Sequence, residues 1–255
     1  MRIQVLGCSG GVGPDLRTTS LLIDDHILID AGSGVGDLSL AEMGRIKQIY
    51  LTHSHLDHIC GLAFMADNLF DLVEDPIVVH ALPATIDALR RHIFNWVIWP
   101  DFTELPNTQN PIMQFKPIQP LQAEIAPGPL QITPFPVNHT VPAVGYSVLG
   151  DSGVFAFSGD TAASDSLWAH LNGLPRLDKL MIEIAFPNEQ AEIGSTSRHF
   201  TPDSLGRELA KLRHRPQLLL THHKPGSEVV IASQCIRALE GWDYHHLRRG
   251  DLIEI

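Results

Sequence analysis

The sequence predicts an α/β sandwich in which two β-rich halves pack face to face with helices outside. Each half opens on short apolar runs of strand length and then alternates helical and strand patterns. No stretch of disordered composition divides the halves, so residues 1–255 read as a single domain. With 44% hydrophobic residues, a chain of 255 has enough apolar surface to bury a sizeable core.

In the first half, Met1 to Leu6 reads as a strand running into Gly7-Cys8-Ser9-Gly10-Gly11-Val12-Gly13-Pro14. That loop lacks the Gly-Lys-Ser/Thr ending of a P-loop, and no helical pattern follows it. Its glycines instead suit a backbone passing close to another part of the molecule. Ser20 to Ile23 and His26 to Asp30 form a hairpin across Asp24-Asp25, and Leu38 to Met43 is a short helix. Asp30, at a strand end, is suited equally to orienting a ligand histidine and to capping a turn. Ile46 to Leu51 is a buried strand, Gly61 to Val73 a helix, Ile77 to His80 a strand and Pro83 to Phe94 a helix. His80 and His92 read as ordinary element residues. Pro100 to Pro129 is Pro-rich and irregular, and its aromatic approach through Trp96, Trp99 and Phe102 suits a pocket wall or a homodimer contact.

In the second half, strand patterns cover Leu130 to Val137, Ala143 to Leu149, Val154 to Ser158, Lys179 to Ile184, Gln217 to Thr221 and Asp251 to Ile255. Helical patterns cover Ser164 to Leu171 and Pro202 to Leu212.

The richest stretch is Thr52-His53-Ser54-His55-Leu56-Asp57-His58. His53 and His55 project to one side of an extended segment, and Asp57 and His58 follow where the chain can bend. Imidazole and carboxylate donors suit zinc, iron or manganese, with zinc favoured by a histidine-rich set. A polar turn carrying this many donors by coincidence is a poor alternative. Three further strand ends carry donors in order: His139 after Pro136-Val137-Asn138, Asp160 after Phe157-Ser158-Gly159, and His222 after Leu219-Leu220-Thr221.

Composition narrows the substrate. The net charge is −11, and a chain this acidic is poorly suited to grip a long polyanion, so no long nucleic-acid partner is expected. A small anion is acceptable beside bound cations. Three widely spaced cysteines, Cys8, Cys60 and Cys235, argue against a disulfide framework, and Cys60 reads as a small buried thiol. The chain shows neither a signal-peptide pattern nor an apolar run of membrane-spanning length, so a cytoplasmic protein without a membrane partner is expected.

Taken together, His53, His55, Asp57, His58, His139, Asp160 and His222 resemble the metal motifs of the metallo-β-lactamase superfamily of hydrolases. The resemblance covers essentially the whole chain and implies a metallo-β-lactamase-like four-layer αβ/βα sandwich. It implies two divalent ions, zinc in preference to manganese or iron. One would take His53, His55 and His139, the other Asp57, His58 and His222, with Asp160 shared. His223 is the rival for the last place, but the Thr221-His222-His223-Lys224-Pro225 form favours His222. Histidine rather than glutamate at position 55 points to hydrolysis, not redox chemistry.

Several stretches resemble the class II cyclic-nucleotide phosphodiesterases: His92-Ile93-Phe94-Asn95, Asn138-His139-Thr140-Val141-Pro142, Leu180 to Asn188, and Ser197-Arg198-His199-Phe200-Thr201-Pro202. Gly61 to Asp67 departs from the small-residue or proline pair usual there. This resemblance implies hydrolysis of cAMP or cGMP to the 5′-nucleotide, by a hydroxide held at the dinuclear centre attacking phosphorus in line with the 3′ oxygen. Asp57, His199 and Glu183 are the candidate catalytic residues, His199 as general acid or phosphate contact and Glu183 as its orienting carboxylate. A tRNA 3′-processing endonuclease of the ribonuclease Z type is the alternative, though no Lys/Arg-rich arm is present. A non-catalytic metal-binding module is a further one.

Overall fold

Side chains alternate between two buried surfaces along the short strands, and that alternation builds the layers. The computed structural model describes residues 1–72, 75–128 and 130–255. Two mixed seven-stranded sheets face one another. With strands numbered along the chain, the first sheet runs β14 (Leu252–Glu254), β1 (Arg2–Gly7), β2 (Ser20–Ile23), β3 (Ile27–Ile29), β4 (Gln48–Tyr50), β5 (Ile77–Ala81) and β6 (Met113–Pro117). The second runs β13 (Tyr244–His246), β12 (Gln217–Thr221), β11 (Lys179–Glu183), β10 (Val154–Phe157), β9 (Val144–Leu149), β8 (Leu130–Pro136) and β7 (Glu124–Ala126).

Leu21, Ile23, Ile27 and Ile29 face inward and meet Ile132, Tyr146, Val148, Phe155 and Met181 of the second sheet. Their neighbours Leu22 and Leu28 face outward, onto a cluster with Met43 of α1 (Leu40–Met43), Leu62 and Met65 of α2 (Leu56–Asn68) and Leu89 of α3 (Pro83–His92). On the other side Leu180, Ile182, Leu218 and Leu220 pack against Trp168 of α4 (Asp165–Gly173), Leu205 of α6 (Pro202–Glu208) and Ile231 of α7 (Glu228–Ala238). The order is helix, sheet, sheet, helix, as expected. Asp24 and Asp25 both take positive φ, 45° and 64°, in the predicted tight hairpin turn.

Some boundaries differ. α2 begins at Leu56, inside the histidine-rich stretch, and ends at Asn68; Val73, the expected last residue, lies outside the described residues. The segment from Pro100 is not wholly irregular, because it holds β6 and β7. Both are edge strands, where Pro117 of β6 costs no essential ladder partner, so the prolines in and around them misdirect a sequence reading. Its expected last residue, Pro129, also lies outside the described residues. The segment before it splits: Phe94 and Phe102 are buried, while Trp96, Val97 and Ile98 are exposed. The helix expected over Pro202 to Leu212 closes at Glu208 and tightens into a 3-10 turn, Leu209–Lys211. α5 (Ala191–Ser197), α7 and β13 carried no expectation.

Candidate metal centre

Beyond Tyr50 the chain stays extended to His55, and α2 then starts, so Asp57 and His58 occupy its first turn. A carboxylate there is favoured by the positive end of the helix dipole, and Asp57 stays partly open while His58 is fully buried. The second sheet delivers the other donors singly, each just past a strand end. His139 follows β8, Asp160 follows β10 and His222 follows β12. Gly159 takes a φ of +60° to aim Asp160, and a Cβ there would stand 3.2 Å from Thr52 of the facing sheet.

The structure brings all seven expected donors together in two groups sharing one aspartate: His53, His55, His139 and Asp160, then Asp57, His58, Asp160 and His222. Within each group the donor atoms lie within 4.8 Å of one another. One oxygen, Asp160 Oδ2, lies 3.3 Å from Nε2 of both His58 and His222, 3.8 Å from His53 Nε2 and 4.0 Å from His139 Nε2. His55 Nδ1 and His139 Nε2 are 3.1 Å apart. Tetrahedral donors at zinc distances stand about 3.3 Å from each other. The Nε2 atoms of His53, His58 and His222 are buried with no hydrogen-bond partner among the described residues. Such orphaned nitrogens are costly unless a cation takes the lone pair, so the donor set fits two metal ions.

The far side of several rings is braced. Asp30 Oδ2 accepts from His58 Nδ1 at 2.7 Å, and its Oδ1 accepts from the Thr52 backbone N–H at 2.8 Å. Of the two roles weighed for Asp30, orienting a histidine and fixing a turn, it performs both. Its burial raises the carboxyl pKa against the lowering pull of His58 and Thr52. His53 Nδ1 lies 2.9 Å from Thr52 Oγ1, and the Arg198 carbonyl accepts from His139 Nδ1 at 3.3 Å. These contacts fix tautomers that leave Nε2 free. Burial pushes His53 well below the ordinary histidine range, His139 to about 4 and His222 to about 3, so all three are neutral bases. His58 is buried too, yet Asp160 and Asp30 hold it well above that range.

His199 enters from the turn between α5 and α6. Arg198 adopts a left-handed conformation (φ 56°) at the end of α5, and Thr201 caps α6 with Pro202 at its first position. Glu183, fully buried at the end of β11, accepts from His199 Nδ1 at 2.8 Å. The same carboxylate takes the backbone N–H groups of Thr161 (3.0 Å) and Phe200 (3.2 Å). The His199 ring stacks on His222 at 5.3 Å between centroids and meets His139 edge-on at 5.1 Å. Burial opposes its protonation, but Glu183 and then Asp160 outweigh that and raise its pKa.

His223 points elsewhere: Nδ1 donates to the Ile184 carbonyl and Nε2 faces His246 Nδ1 at 2.9 Å. It lines a cavity of about 620 Å³ with Cys8, Arg17, His246 and Leu247, beside the donor cluster. Cys60 belongs to neither donor group, and it is half-buried rather than buried. His80 stacks on Tyr50 at 4.2 Å and pairs with Glu124, an ordinary packed role. The glycine loop does pass close to the centre. A Cβ on Gly10 would stand 2.5 Å from the His222 carbonyl, and the His222 N–H donates to Cys8 O at 2.7 Å. Sequence reasoning missed Arg198 and Thr52 as braces; both adjoin expected site residues, and that adjacency was the available signal.

A family model described as the beta-lactamase superfamily domain matches residues 25–223, and the chain belongs to that family. Among named relatives it is similar to the probable 3′,5′-cyclic-nucleotide phosphodiesterase of Yersinia pestis, 26% identical over 82% of this chain and 71% of that protein. The 3′,5′-cyclic-nucleotide phosphodiesterase of Aliivibrio fischeri is 28% identical over 81% and 74%. A ribonuclease Z of Bradyrhizobium is 25% identical over 91% and 93%. Solved structures of the same fold include the metallo-beta-lactamase fold protein YhfI of Bacillus subtilis (TM-score 0.78, 19% identity, 99% of this chain and 98% of that one). Unliganded yeast PDE1 is comparable (TM-score 0.78, 19% identity, 95% of each).

Proposed function

We propose that the chain is a metal-dependent phosphodiesterase that hydrolyses 3′,5′-cyclic nucleotides, cAMP or cGMP, to 5′-nucleotides. The observation that carries the reading is His199, held by Glu183 and stacked on His222 at the edge of two four-donor groups. The phosphodiesterase relatives support the substrate class. His53, His55, His139 and Asp160 would hold one ion, and Asp57, His58, His222 and Asp160 the other, with zinc preferred over manganese or iron. Bound divalent ions supply an acidified water and charge stabilisation at the phosphoryl oxygens.

The chain's own residues do the rest. Asp57 faces His58 and His222 with Oδ2 and is partly open, which leaves its other oxygen to accept the proton of the attacking water. Glu183 engages Nδ1 of His199, so the proton at Nε2 is the one available to the departing 3′ oxygen. His199 is thereby the general acid, and Glu183 its positioning partner. Asp30 and Thr52 keep the first-sheet donors from turning as charge moves.

The test is hydrolysis of cAMP and cGMP by metal-loaded protein, with a 3′-extended tRNA precursor assayed beside it. Release of 5′-nucleotide, lost in Asp160→Ala, is expected; cleavage of the tRNA alone overturns the reading. The ribonuclease Z reading is favoured by that relative's near-complete coverage. The acidic charge and the lack of a Lys/Arg-rich insertion oppose it. No described helix is long and apolar enough to cross a membrane. Three free cysteines suit a reducing compartment, and we place the enzyme in the cytoplasm. Residues 1–255 are proposed to unfold as one domain, and Trp96-Val97-Ile98 to form a homodimer contact that light scattering on Ile98→Glu would report.

A further inference from the structure

Lys224 is a cation with no carboxylate partner. It is half-buried two residues beyond His222, and its Nζ donates to the Gly10 carbonyl at 2.8 Å. No ion pair forms at this ammonium among the described residues, although the chain carries an excess of carboxylates. An ammonium has three donors, and one backbone carbonyl leaves two unspent. Those two donors stay open to water or to an anion.

Its position is fixed by the glycine loop. A Cβ on Gly10 would lie 3.1 Å from both the His222 ring (Cδ2) and the Lys224 stem (Cδ), so ring and stem flank the same point. The Lys224 backbone is anchored as well, its N–H donating to Ala185 O at 3.1 Å. Its charge reaches His199 and His222 and opposes protonation of each. The Lys224 stem thus lies beside the His222 ring, on which His199 stacks at 5.3 Å between centroids.

We propose that Lys224 is a substrate contact, its ammonium holding a non-bridging oxygen of an anionic phosphoryl group beside His199. This rests on the phosphodiesterase reading and adds a residue to it. Gly10 then has two tasks, letting the loop approach His222 and offering the carbonyl that steadies Lys224. A side chain at Gly10 would push both apart.

Two measurements on the metal-loaded protein test this: inorganic phosphate binding by calorimetry, and steady-state kinetics on cAMP. Lys224→Met keeps the stem and removes the charge. The expected result is a phosphate Kd and a cAMP KM each raised about tenfold, with kcat reduced less and two ions per chain retained. Lys224→Arg should restore most of the affinity, and added salt should weaken phosphate binding to the wild type more than to Lys224→Met. Phosphate affinity and KM within twofold of wild type in Lys224→Met overturn the proposal. So does loss of metal in both Lys224→Met and Lys224→Gln, which would make Lys224 a staple for the loop. If cAMP is not hydrolysed at all, the phosphate arm still decides the role of Lys224 while the cyclic-nucleotide reading falls by itself.

Discussion

The two sheets contribute to one centre by opposite means. The first supplies four donors from a single extended-to-helix segment, His53 to His58, stiffened from behind by Asp30 and Thr52. The second supplies three donors from three separate strand ends, His139, Asp160 and His222, and adds His199 and Glu183 from two more places. A local segment presents its ligands nearly ready-made. A scattered set exists only once the strands have found their order and register. The contrast teaches that the ligands share a centre but not an origin of precision: local backbone geometry in one half, long-range topology in the other.

Changes that strike the shared donor should erase the contrast. Asp160 Oδ2 stands close to histidines of both groups, so Asp160→Ala should abolish turnover and lower bound metal from about two ions per chain to one or fewer, read by elemental analysis. Next in size is His199→Ala, which touches only the second-sheet machinery. It should cost about 10²–10⁴-fold in kcat while both ions stay bound. Full turnover with full metal content would remove His199 from the mechanism. Asp30→Asn tests the brace behind the first-sheet segment. It should weaken metal affinity by about 10–100-fold with a smaller effect on saturated kcat, read by competition with a chelator.

The smallest effect is a control in the first sheet away from the donors. His80 is buried against Tyr50, and its pKa is lowered to about 4. In the unfolded chain an ordinary histidine takes its proton near pH 6.5, so between pH 6.5 and 4 the unfolded state binds more protons than the folded one. His80 thus costs stability progressively as pH falls through that window. Its ring carbons, followed by NMR, should show no titration near pH 6.5.

Legibility in the sequence follows the same division. His53 to His58 is readable because the donors are contiguous, and the inner strands because their burial forces apolar runs such as Leu218-Leu219-Leu220. His139, Asp160 and His222 needed both the strand-end rule and the family pattern. Arg198 and Thr52 carry no pattern of their own, since Arg198 acts through a backbone carbonyl and Thr52 through its backbone N–H and one hydroxyl. α7 buries only a narrow face through Ile231 and Cys235, with Val229 and Ile236 left exposed, so its apolar periodicity is blurred. Pro117 at the end of β6 and Pro127 just after β7 hid two edge strands.

Because each donor group draws on both sheets, a captured ion would act as a rivet through the seam between them. Every tenfold rise in free metal above its dissociation constant then adds about 1.4 kcal/mol to the folded state, by mass action alone. The stability of the whole fold would follow the metal ration of the cell. A starved chain would keep the apolar seam but lose that increment, and its unfolded fraction would rise accordingly.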